Sequence, residues 1–218
     1  MGKSAVVFGA TGLVGRHLLG CLLNDTAYSR IIVVTRKPID IEHAKIQQVI
    51  SDFNSIESVK DELVADCFFC CLGTTRRNTP DLDRYYEVDH DYPVWAAHTA
   101  KAAGAKTFVL VSAVGANPGS ANFYIKMKGE TERDVIAAGV ERTYIFRPSL
   151  LTGHRDTPRV LERVASALMS AINPLLMGKL SRFRSIPAAQ LANAMVASSH
   201  HTASGVIIYH WKEIKRWQ

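Results

Sequence analysis

Short apolar runs alternate along this chain with segments of helical period. Six runs read as strands: "SAVVFG" (residues 4–9), "RIIVVTR" (30–36), "KIQQVISD" (45–52), "DCFFCCLG" (66–73), "KTFVLVSAVG" (106–115) and "RTYIFRPS" (142–149). Between them, residues 11–23, 55–64, 83–103 and 123–138 carry helical periodicity. Gly104 and Gly139 follow the last two, where a residue that tolerates a left-handed backbone ends a helix. The strand runs lack polar alternation, which is the pattern of strands covered by helices on both faces. Repeated strand–helix units with right-handed crossovers predict an α/β fold, a doubly wound parallel sheet.

The pattern changes after Leu150. "PRVLERVASALMSAINPLL" (158–176) reads as a helix, "RFRSIP" (182–187) as a short extended piece, "AAQLANAMVASS" (188–199) as a helix and "SGVIIYH" (204–210) as a strand. No linker or repeat separates this part. With 218 residues in all, one domain is expected, with residues 150–210 closing a pocket at the carboxyl ends of the strands.

Composition narrows the class. No apolar run is long enough to span a bilayer, and the first residues lack an apolar leader, so a cytoplasmic protein is expected. Cys67 and Cys70 lie three apart on a strand and point to opposite faces, which suits reduced core residues rather than a metal site. The eight histidines show no ligand spacing, and no metal is expected. The formal net charge is +6, but the cations are scattered and form no nucleic-acid motif. Attraction of anionic small molecules is the sharper consequence of that charge.

The first strand runs straight into "GATGLVGR", with Gly9, Gly12 and Gly15 spaced G-x-x-G-x-x-G. A strand that turns sharply into a helix, with backbone close to a pyrophosphate, needs glycine there. The helix start then offers free N–H groups to the phosphates. Gly9, Thr11, Gly12, Leu13, Val14 and Gly15 are therefore candidate cofactor-binding residues. The second strand ends in Thr35, Arg36 and Lys37, with no acid to take the ribose hydroxyls of NAD. A guanidinium there binds a 2′-phosphate, so NADP(H) is preferred, with Arg36 the main contact, Lys37 the weaker one and NAD(H) the alternative cofactor. Asp52 and Phe53 follow the third strand and would edge the adenine. Leu72, Gly73 and Thr74 follow the fourth and would line the central ribose and phosphates.

One further stretch, "NFYIKMKGETE" (122–132), sets Tyr124 and Lys128 four apart at a helix start, one turn apart on one face. Alone, the pair also fits an ordinary amphipathic helix. Taken with "FGATGLVGR", "CCLGTTR", "VLVSAVGA" and "FRPSLL" over residues 5–153, the chain resembles the short-chain dehydrogenase/reductase superfamily. Its atypical branch, and there the Tat-interacting-protein (TIP30-like) group, is the nearest likeness. The resemblance implies a catalytic set of Ser112, Tyr124 and Lys128. Tyr124 would be the general acid, Lys128 together with the oxidised nicotinamide would lower its pKa, Lys128 would also hold the nicotinamide ribose, and Ser112 would hold the substrate oxygen. Arg147 and Pro148 match the segment beside the nicotinamide. The 12 residues from Ser112 to Tyr124 are fewer than usual in the superfamily.

Three functions share these features: an NADP(H)-dependent oxidoreductase reducing a small carbonyl compound, a non-catalytic NADP(H)-binding regulator or redox sensor with a protein partner, and an epimerase or isomerase. Trp211 and Trp217 are expected to anchor packing or an interface, and Arg76 and Arg77 to be surface charges.

Overall fold

Strand β1 (Lys3–Phe8) lies inside the sheet and is buried on both faces. Ala5 and Val7 join one apolar layer, while Val6 and Phe8 join the other. That division follows from the alternation of side chains along a strand. The computed structural model describes residues 2–52, 55–153, 173 and 176–217. The other strands are β2 (Tyr28–Thr35), β3 (Ile46–Ile50), β4 (Cys67–Cys70), β5 (Thr107–Val111), β6 (Arg142–Phe146) and β9 (Gly205–Tyr209). They form a seven-stranded sheet in the order β3-β2-β1-β4-β5-β6-β9, every pair parallel. A small pair, β7 (Leu151–Thr152) with β8 (Ile186–Pro187), stands apart.

Helix α1 (Leu13–Asn24) buries Val14, Leu18, Leu19 and Leu22 on one side of the sheet. Helix α5 (Ala188–Ser198) packs beside it through Leu191, Ala192 and Met195. On the opposite face α3 (Tyr92–Ala102) contributes Ala96, Ala97 and Ala100, and α4 (Phe123–Ala137) contributes Val135. Cys67 belongs to the α1 layer and Cys70 to the other. Burial pushes both thiols up to about 12, so they stay reduced and uncharged packing groups. A short helix α6 (Trp211–Ile214) follows β9, and Trp217 packs on Phe146 and Tyr209.

Two expected helices take another form. Residues 55–64 give a 3-10 helix, Ile56–Glu62, which seats Ile56 and Val59 on the sheet, with Leu63 buried just after it. The long helix over 83–103 divides into α2 (Leu82–Tyr86), a π-helical turn (Glu87–Asp91) and α3. Pro93 has no N–H to give the carbonyl of Asp89, and that carbonyl shares the single Thr131 hydroxyl proton, at 3.0 Å, with the Met127 carbonyl at 2.8 Å. Of the extended piece 182–187, only Ile186–Pro187 is strand, and Gly178–Phe183 is 3-10 helix. The helix expected over 158–176 lies almost wholly outside the described residues. Among those residues, no helix is long and apolar enough to cross a membrane.

Candidate cofactor and active site

Strand order reverses at β1, since β2 pairs on one side of it and β4 on the other. Doubly wound sheets bind ligands at the carboxyl ends of the strands at such a switch point. There the glycine loop lies. Gly9 has φ +77°, and a Cβ on it would meet the Cys71 carbonyl oxygen at 2.7 Å. A Cβ on Gly15 would come within 2.1 Å of the Gly9 oxygen, so this glycine lets α1 start hard against the loop. Gly12 has an ordinary φ of −75° and stands at the helix N-cap, without a side-chain cap and with no acid in the first turn. The first N–H groups of α1 are thus left for an anion. Val14 and Gly15 are buried and Leu13 half-buried, so these three support the loop from beneath.

A cleft of about 770 Å³ opens above this loop. Gly9, Thr11, Gly12, Leu72, Gly73 and Thr74 line it, and so do Arg36 and Lys37 at the end of β2. The Oγ1 of Thr35, in the cleft wall, is buried and has no hydrogen-bond partner. A buried hydroxyl without a partner is costly, and a ligand hydroxyl or phosphate oxygen in the cleft would satisfy it. The donor set of a free helix start, two cations and an orphaned hydroxyl fits a dinucleotide with anionic groups. Ser51 rather than Asp52 forms the wall beyond β3, because the Asp52 carboxylate accepts from the N–H and hydroxyl of Ser55 at 3.0 and 2.9 Å. Phe53 lies outside the described residues. Asn78, Thr79, Arg84, Val88 and Tyr92 also line the cleft, and no sequence signal marked them. Arg84 is already engaged with Glu87 and the Tyr92 hydroxyl.

Lys128 sits at the inner end of this region, 5% exposed. Its Nζ is 2.7 Å from Oδ1 of Asp89, itself 1% exposed, and the other oxygen of Asp89 accepts the Thr74 N–H at 2.7 Å. A Cβ on Gly73 would lie 4.0 Å from Lys128 Nζ, so the lysine backs directly onto the cleft-lining loop. Burial disfavours the Lys128 ammonium, but the Asp89 carboxylate outweighs it and holds the lysine pKa above its ordinary value. Tyr124, one turn earlier on α4, is 38% exposed; Tyr124, Lys128, Ser112, Arg147 and Pro148 are not among the residues that line the cleft. Burial of its phenol raises its pKa; the pull of Lys128 downward is countered by Asp89, and the net direction is up. The upward direction is set first by burial, and the Asp89 carboxylate adds to it; the motif reveals neither.

Ser112 and Arg147 are brought together by Glu132, also on α4 and buried. The Ser112 hydroxyl donates to Glu132 Oε1 at 2.5 Å, and Arg147 grips the same carboxylate through Nε at 2.9 and 3.1 Å. Pro148 is buried and its carbonyl accepts the Val114 N–H at 2.8 Å, fastening the two strand ends together. No cluster of metal-ligating side chains exists among the described residues. His200 instead pairs with Asp25 at 2.7 Å, and His201 lies against the Trp217 ring.

The fold and cleft define a dinucleotide-binding protein with the architecture of the short-chain dehydrogenases/reductases. A UDP-N-acetylglucosamine 4-epimerase from Methanobrevibacter ruminantium M1 superposes with TM-score 0.70 at 16% identity, over 96% of this chain and 76% of that one. The Bordetella bronchiseptica enzyme WbmH, solved with NAD+, gives TM-score 0.70 at 14% identity over 96% and 76%. The family model described as NAD(P)H-binding matches residues 9–202, and the chain belongs to that family. Among its relatives are "Protein FMP52-1, mitochondrial" of Scheffersomyces stipitis, 35% identical over 87% of this chain and 81% of that protein, and "Protein FMP52, mitochondrial" of Eremothecium gossypii, 36% identical over 71% and 69%. These names overturn the cytoplasmic expectation, which had rested on the lack of an apolar leader and is no guide where relatives are named as organellar proteins.

Proposed function

We propose that this protein is an NADP(H)-dependent oxidoreductase that reduces a small carbonyl compound. The observation that carries the reading is the cleft itself, where Arg36 and Lys37 stand beside the orphaned Thr35 hydroxyl and above an uncapped helix start. Arg36 and Lys37 would hold a 2′-phosphate, the first turn of α1 the pyrophosphate, and Lys128 the nicotinamide ribose. A dihydronicotinamide bound there supplies a hydride. Tyr124 donates the phenol proton to the carbonyl oxygen as the alcohol forms, and Lys128 offsets the charge left on the phenolate. The buried Ser112–Glu132–Arg147 network fixes the strand ends beneath that site. The likeness to the TIP30-like group rests on sequence motifs and supports this reading at the level of the motifs alone.

A second reading has its own support. With the Ser112 hydroxyl committed to Glu132, the protein would bind NADP(H) and signal through a protein partner without turnover. NADPH affinity set beside NADPH consumption across a library of aldehydes and ketones separates the two. Consumption with any carbonyl supports the reductase. Tight binding with no consumption supports the regulator, and no binding removes both.

A further inference from the structure

The loop after β4 presents two cations without a partner. The Thr75 carbonyl closes it into a turn by accepting the N–H groups of Asn78 and Thr79, both at 2.8 Å, and the Thr74 and Thr79 hydroxyls bond each other at 2.9 Å. Arg76 and Arg77 stand at the tip of that turn. Both are exposed, and neither makes a hydrogen bond or ion pair among the described residues. The base of the turn is tied to the helix that carries Tyr124, because the Thr74 N–H donates to Asp89 and Asp89 pairs with Lys128, each at 2.7 Å. Helix α2 begins just after the turn and carries Tyr85, 4% exposed. The Tyr85 ring lies 6.1 Å from that of Phe123, the residue before Tyr124. Its hydroxyl has no hydrogen-bond partner among the described residues, whereas a phenol buried to this degree usually has one. Burial raises the Tyr85 pKa, Asp89 and Tyr124 add to that, and Arg76 acts against them, so the guanidinium and the two phenols share one neighbourhood.

We propose that Arg76 and the Tyr85 hydroxyl form a substrate subsite, and that the substrate is an aldehyde or ketone carrying a carboxylate or a phosphate. This inference rests on the reductase reading. A guanidinium binds either anion through paired hydrogen bonds, and the Tyr85 hydroxyl donates one more. With the anion held at Arg76, the carbonyl is directed to Tyr124. The carbonyl carbon gains the hydride that the nicotinamide supplies and the oxygen gains the Tyr124 proton, so the product is an alcohol that keeps the anion. The formal charge of +6 favours encounter with such a substrate.

Two matched pairs test the subsite: succinic semialdehyde against butanal for the carboxylate, and glycolaldehyde phosphate against glycolaldehyde for the phosphate. Binding is read from the tyrosine ring resonances of protein held in saturating NADP+, where no reduction occurs, and turnover from NADPH consumption. Wild-type protein should bind at least one anionic aldehyde about tenfold or more tighter than its neutral partner, and the pair that shows the difference identifies the anion. Arg76→Ala should remove that preference and Arg76→Lys should restore part of it. Tyr85→Phe keeps the ring on Phe123 and should weaken anion binding about threefold. The neutral aldehydes should bind every variant like the wild type. No preference for either anion in the wild type, or an unchanged preference in Arg76→Ala or Tyr85→Phe, overturns the proposal. If the preference is present and depends on Arg76 while no aldehyde consumes NADPH, the subsite stands and the reductase reading alone fails.

Discussion

Arg36 and Tyr124 do their proposed work through single groups, and each can be removed without touching the core. Arg36 is exposed on the cleft wall. Arg36→Ala should weaken NADPH binding by more than about tenfold, because a charge-assisted hydrogen bond is worth about 1.5–3 kcal/mol. NADH binding should barely change; equal losses for both cofactors in a titration would refute the 2′-phosphate assignment. Tyr124→Phe keeps the ring and removes the proton donor, so NADPH binding should survive while reduction falls by about 10²–10⁴-fold. Lys128→Met should differ in kind. It weakens cofactor binding as well as turnover, and it strands the buried Asp89 carboxylate, which costs about 3–5 kcal/mol when a partner is deleted from a buried pair. Single-turnover rates, affinities and melting curves on the two variants check this, and unchanged reductase activity in Tyr124→Phe would take the phenol out of the mechanism. The motif placed both residues on one helix turn. It could not show Asp89, because nothing in "YYEVDHDYP" distinguishes an inward carboxylate from its solvated neighbours.

The glycine loop is the element whose three glycines have three separate reasons. Gly12 faces the cleft at an ordinary φ, and a Cβ there would meet only the Gly9 oxygen, at 3.3 Å. Gly12→Val should therefore abolish NADPH binding, by filling the space a pyrophosphate needs, and lower the melting temperature less than a substitution at Gly15 does. Gly15 is the opposite case, since its Cβ would press into the loop backbone at 2.1 Å. Gly15→Ala should lower the melting temperature as well as cofactor affinity. Melting curves and fluorescence titration on both variants check the contrast, and a Gly12→Val protein that binds NADPH at wild-type strength would put the phosphates elsewhere. The G-x-x-G-x-x-G spacing announced the loop, but which glycine serves the ligand and which serves packing depends on distances across the turn.

Across the whole molecule, three aspartates tie distant parts of the chain and set its response to acid. Asp25 joins α1 to His200 after α5 at 2.7 Å, and Asp66 at the start of β4 accepts from the N–H and hydroxyl of Ser4, both at 2.7 Å. Burial works against ionisation of both, but these hydrogen bonds outweigh it and lower their pKa values. Asp134 is lowered to about 2, chiefly by Arg133 and then by His90. A carboxyl with a folded pKa below its unfolded value adds stability above the unfolded value, near about 4, and that stability is lost as pH falls through the folded value. Melting temperature should thus drop between about pH 4 and pH 2. Asp134→Asn should flatten part of that drop, and a wild-type melting temperature constant over this range would contradict the linkage.

Strand positions, sheet type and the phosphate loop were legible in the sequence because they depend on local order: apolar runs, turn glycines and the residues at strand ends. "SAVVFG" followed by "GATGLVG" dictates a buried strand turning into a helix whatever the rest of the chain does. Other features come from segments remote in sequence. In the π-helical turn Pro93 leaves the Asp89 carbonyl without an N–H, and the Thr131 hydroxyl, on another helix, lies 3.0 Å from it. Asp89 and Lys128 are 39 positions apart and meet only once α4 packs against that turn. Ser112, Glu132 and Arg147 converge in the same way from a strand end, a helix and another strand end. Charges and hydroxyls act over a few ångströms in space, and only the tertiary structure decides which of them share those ångströms, and so that burial, with Asp89 adding to it, outweighs the pull of Lys128 on the Tyr124 phenol.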